Sequence, residues 1–119
     1  MSESDPVYRL VVPAAAAFIA TTRIFVAGVA TIAGFDRELV DDAKLAVSEV
    51  AAAIIAHTDA AEVVVSARLE PGGLDLQIGP WSEQPESDDL DTIELVDVLF
   101  PGVTESDVVT IRIAQNDDT

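Results

Sequence analysis

Apolar and polar residues change period several times along this chain, and each change marks an element. From Val7 to Val12 the run is short and β-branched, with Tyr8, Leu10 and Val12 on one side, which predicts a strand that Pro13 ends. Pro13 also suits the first turn of a following helix. Ala14 to Ala33 holds good helix formers with Phe18, Phe25, Val29 and Ile32 at helical spacing, and Gly34 is placed to terminate that helix in a left-handed conformation. Asp36 reads as the N-cap of a second helix, about Arg37 to His57, with Phe35 and Val40 at the spacing of a hydrophobic staple.

Beyond His57 the period falls to two. Val63, Val65, Ala67 and Leu69 alternate with Glu62, Val64, Ser66 and Arg68. Pro71-Gly72-Gly73 predicts a tight turn, after which Leu74, Leu76 and Ile78 alternate with Asp75 and Gln77, so the two runs read as a hairpin. Gly79 to Ser87 reads as a loop, and Asp88 to Phe100 as a third helix with Leu90, Ile93, Val96 and Leu99 on one face, stopped by Pro101-Gly102. Val108 to Ile113 is a final strand. The order β-α-α-β-β-α-β predicts an α+β domain, its helices packed on one face of a mainly antiparallel four-stranded sheet. One domain spans 1–119, with a folded core over 7–114 and flexible tails at 1–6 and 115–119.

Helix two departs from an ordinary amphipathic pattern. Val40, Ala43, Val47, Val50 and Ile54 form the face expected on the sheet, yet Leu45, Ala52, Ala53 and Ala56 make the far side apolar as well. Helix one with a loop, a ligand or a partner must cover that second side. Glu49, Ala53 and His57 follow one another at i, i+4, i+8 and so form a stripe. A carboxylate at Glu49 must be solvated, hydrogen-bonded or protonated, and its plainer reading is a rim position in water; His57 at the helix end is favoured by the macrodipole.

Composition narrows the function. With 119 residues and half of them hydrophobic, the chain can bury a core unaided, and few aromatics make that core aliphatic. The absence of cysteine excludes disulfides and thiolate chemistry, and a single histidine leaves little for zinc; no metal site is expected. Twenty-two acidic against six basic residues give a net charge of −16, which disfavours nucleic acid and anionic membranes. The acids are scattered, which favours general solubility or a high-salt habitat over one basic partner. Leu10 to Ala33 fails as a membrane or signal segment. Arg23 near its centre would cost roughly 2.5 to 3.5 kcal/mol in a bilayer, Pro13 interrupts it, and Glu3 and Asp5 precede it in place of basic residues. A cytoplasmic location is the default.

Two further clusters carry little chemistry. Asp88, Asp89, Asp91 and Glu94 lack the spacing of a calcium loop and suit a helix start, as do Glu38, Asp41 and Asp42. Ser48 and His57 lie on different faces of one helix, which disfavours a hydrolase triad.

The run KLAVSEVAAAIIAH (Lys44 to His57), preceded by a strand ending in proline, a helix bearing Arg23 and a turn with Gly34-Phe35, resembles the anti-sigma-factor serine kinases of the bacterial histidine-kinase/Hsp90-like ATPase superfamily. Glu49 and His57 match the family's ATP-binding helix, Glu49 at the position of the base. Ala53 stands where the resemblance implies a Mg²⁺-binding Asn, and an alanine methyl offers no oxygen ligand. After Ile78 the family's Asp-x-Gly-x-Gly adenine motif should follow; Gly79-Pro80-Trp81 stands there. The glycine-rich lid is missing, since about a dozen residues separate Ile78 from Leu90. The resemblance therefore implies a reduced ATPase fold with a vestigial pocket of Glu49, Ala53, His57, Gly79 and Trp81. Neither ATP nor Mg²⁺ is expected as a cofactor, and no residue is expected to be catalytic. Trp81 reads equally as a partner anchor, a plug in that pocket or a lid over the core edge. The expected function is that of a pseudo-ATPase, a regulatory module binding a protein such as a sigma factor or an anti-sigma antagonist, with homodimers possible in the family. The alternatives are a nucleotide-binding serine kinase with a rearranged site and a structural homo-oligomeric domain.

Overall fold

The computed structural model describes residues 7–81 and 108–114. Strand β1 (Val7–Pro13) leads through a 3₁₀ turn (Ala16–Phe18) into helix α1 (Ile19–Ile32) and then α2 (Arg37–His57). Strands β2 (Glu62–Glu70), β3 (Gly73–Gly79) and β4 (Val109–Ala114) complete an antiparallel sheet of order β1-β2-β3-β4. The predicted α+β architecture holds, with both helices on one side of a four-stranded sheet. The predicted third helix, most of the loop before it and both tails lie outside the described residues.

Register and alternation agree strand by strand. Tyr8, Ala67, Leu76 and Ile111 stand opposite one another across the sheet, as do Leu10, Val65, Ile78 and Val109. These rows face the helices, so the period-two pattern converts directly into one apolar face. The opposite face carries Arg9, Ser66, Gln77 and Thr110 in one row and Val7, Arg68, Asp75 and Arg112 in the next. The hairpin turn is two residues, Pro71-Gly72. Gly72 supplies the positive φ of 72° that a Pro-Gly turn requires, and Gly73 already pairs with Glu70 as strand. Arg112 forms an ion pair with Glu70 over that glycine.

The α1–α2 corner is built as its sequence predicts. Gly34 has φ 85°, its N–H donates to the Thr31 carbonyl and the Phe35 N–H donates to that of Ala30, which together form a Schellman motif. Phe35 is buried, with Val40 packed against the same core. The Asp36 carboxylate accepts from the Leu39 N–H at 2.9 Å, capping α2. Replacing Asp36 with alanine orphans that donor; a loss of about 1 kcal/mol in urea unfolding is expected, and an unchanged midpoint would contradict the cap.

Helix one differs from its predicted form. The strand runs through Pro13, which pairs opposite Glu62 instead of starting a helix; the Ala14 N–H donates to the Ala61 carbonyl, and the Ala15 N–H donates back to that of Pro13. β1 is an edge strand, where a missing N–H is tolerated. The predicted face of Phe18, Phe25, Val29 and Ile32 is not the buried one. Thr22, Val26, Val29 and Ala30 are buried, Phe25 is half-buried, and Phe18 and Ile32 are exposed. Small side chains let α1 approach its neighbours closely, and the Thr22 hydroxyl is satisfied by donating to the Ile19 carbonyl at 2.6 Å. Among the described residues no helix is long and apolar enough to cross a membrane.

Candidate functional site

Helix α2 packs one side into the core with Ala43, Val47, Val50 and Ile54, as its pattern predicts, and Val40 is half-buried on that side. Its far side divides. Leu45 is 60 % exposed and Ala52 and Ala56 are exposed, whereas Ala53 is 7 % exposed and belongs to the core. The expected second apolar side is thus real at Leu45, Ala52 and Ala56, while Ala53 is interior. A helix turns 100° per residue, so Ala52 and Ala53 fall on either side of the boundary of the buried arc.

The stripe of Glu49, Ala53 and His57 crosses that boundary. Glu49 is exposed, which places its carboxylate in water, and His57 is half-buried in the last turn of α2. Thr58 closes the helix, its hydroxyl donating to the Ile54 carbonyl at 2.7 Å. The Ser48 hydroxyl is committed to its own helix, donating to the carbonyls of Lys44 and Leu45. That bonding, with Ser48 and His57 on different faces, leaves these two side chains unsuited to act together as nucleophile and base.

Gly79 and Trp81 do not share a face. Strand alternation puts Gly79 on the outer face of the sheet with Asp75 and Gln77, because Ile78 points inward. Trp81 is 2 % exposed and joins the core, and its indole Nε1 has no acceptor within hydrogen-bond distance among the described residues. An indole buried without an acceptor contributes through volume, not polarity. Of the readings of Trp81, this placement fits a plug or lid on the core and not an exposed anchor. The five residues of the expected pocket are therefore divided among the core (Ala53, Trp81), the helix surface (Glu49, His57) and the outer sheet face (Gly79).

The residues do not fit ATP with Mg²⁺. At Ala53, where the resemblance implies a metal-binding Asn, stands a buried methyl, and Trp81, after Ile78, is buried in the core. Among the described residues no group of three His, Asp or Glu is placed to hold a metal ion.

What the helical layer does offer is apolar surface directed away from the sheet. Ile24 is 73 % exposed and Ile32 63 %, and between α1 and α2 runs a groove of about 320 Å³ lined by Ala20, Arg23, Ile24, Ala27 and Lys44. Periodicity does not single out Ile24 and puts Ile32 on the expected inner face, because helix one is apolar nearly all round and its pattern cannot choose among its faces. No protein-family model matches this chain, and no curated protein matches it.

Proposed function

We propose that this chain is a regulatory protein-binding module, a reduced relative of the anti-sigma serine kinases that retains their helix-on-sheet frame without their nucleotide chemistry. The observation that carries the proposal is the exposed apolar surface of the helical layer, Ile24 on α1 with Leu45, Ala52 and Ala56 on α2. Large apolar side chains left exposed on one layer of a small domain suit an interaction site. Supporting the loss of catalysis, the position of the metal-binding Asn is a buried alanine, and Trp81 occupies core volume where the family needs glycine for the base. The resemblance implies a sigma factor or its phosphorylatable antagonist as partner, in a family that often acts through dimers.

The test is direct binding. A partner captured by the immobilised chain and then purified should bind Ile24→Asp/Leu45→Asp about a hundredfold or more weakly than wild type, since buried anchors dominate such interfaces. Thr110→Asp, on the far side of the sheet, should bind like wild type. Equal affinity of wild type and the double variant would remove the docking surface from the helical layer.

A further inference from the structure

The outer face of the sheet holds Arg9, Arg68 and Arg112, half of the six basic residues in a chain of net charge −16. Their surroundings differ. Arg112 is paired with Glu70, and Arg68 stands opposite Asp75 in register. Arg9 has no carboxylate in its row, where Ser66, Gln77 and Thr110 follow, and among the described residues its side chain forms no ion pair or hydrogen bond. An arginine in a neutral row is a site where an external anion meets little competition from within that row.

That row opens into a concavity of about 380 Å³, lined by Arg9, Val64, Ser66, Gln77, Gly79, Pro80 and Val108. Its size is in the range of small-ligand sites. The Ser66 hydroxyl and the Gln77 amide add donors beside the guanidinium, and among the described residues neither is engaged in a hydrogen bond. Val64, Pro80 and Val108 provide apolar wall, and Gly79 has no side chain to fill the space. Ser66 and Gln77 are shared with a smaller adjoining concavity lined by Val7, Arg68 and Asp75. The Asp75 carboxylate there and the overall negative charge penalise a second negative charge on the ligand.

We infer that this outer-face concavity binds a small organic monocarboxylate, its carboxylate on the Arg9 guanidinium, Ser66 and Gln77 and its apolar body on Val64, Pro80 and Val108. A planar carboxylate matches the fork of a guanidinium, and the apolar wall selects an acid with a hydrocarbon body over an inorganic anion. The site is on the opposite face from the helical docking surface and is independent of it.

The experiment is an NMR titration of the full chain with sodium benzoate at constant ionic strength, with benzamide as the uncharged isostere and inorganic phosphate as the apolar-free anion. Saturable shifts are expected at the amides of Ser66, Gln77 and Gly79 and at the Arg9 side chain. Benzamide, phosphate and the Arg9→Met variant should each weaken binding by about tenfold or more, the loss of a charge-assisted contact or of its apolar complement. The dispersion of the variant's amide spectrum reports its fold, and Gln77→Leu, expected to weaken binding severalfold, is a second variant read in the same way. Absence of saturable shifts, equal response to benzoate and benzamide, tighter binding of phosphate at these residues, or unchanged binding in folded variants would overturn the assignment.

Discussion

Replacing Leu76 with alanine is expected to lower stability by about 3 kcal/mol, within the range of about 2–5 for buried leucines. Leu76 is fully buried in the middle of β3, between Ala67 on β2 and Ile111 on β4, beneath the helices. Because Ala67 is small and cannot grow into the space, the truncation leaves a cavity in an aliphatic core that packs by shape. Domains of this kind hold only about 5–15 kcal/mol in total, so the variant should unfold at clearly lower urea with an unchanged slope. A loss below about 1 kcal/mol would contradict the position of β3 at the centre of the core.

The second large effect separates two adjacent alanines. Ala53→Arg should destabilise by about 3 kcal/mol or more, because it forces a long cationic side chain into the packed side of α2. Ala52→Arg, one residue away on the exposed side, should change stability by no more than about 0.5 kcal/mol. If the protein binds its partner through this face, Ala52→Arg weakens the complex while the fold persists; Ala53→Arg cannot give a clean answer. Equal stability of the two variants would contradict the orientation of α2.

The parts of this fold legible in the sequence are those where a local device sets the backbone. Asp36, Gly34 and Phe35 mark the α1–α2 corner by capping, left-handed geometry and staple, and both ends of α2 fall where the pattern puts them. The β2–β3 hairpin is equally plain, since alternation and Pro-Gly fix its register. The apolar helices were another matter. In α1 the large Ile24 and Ile32 lie outside while Thr22 and Ala30 lie inside, an outcome set by how closely two helices and a sheet approach one another. Nothing local encodes that distance. For Gly79 the signal was present: with Ile78 in the core, alternation alone sends the next residue to the opposite face. Reading it by motif position grouped it with residues it does not meet.

On α2, Ala53 is part of the core between the exposed Glu49 and the half-buried His57, while the neighbouring Leu45, Ala52 and Ala56 stay exposed. Phosphoryl transfer depends on metal and phosphate positioning, and the proposed protein-binding role asks for neither. Calorimetric titration of the full chain with ATP and Mg²⁺ tests this most directly: no saturable heat is predicted up to millimolar nucleotide, and binding in the micromolar range would contradict the account and restore Glu49 as a candidate base.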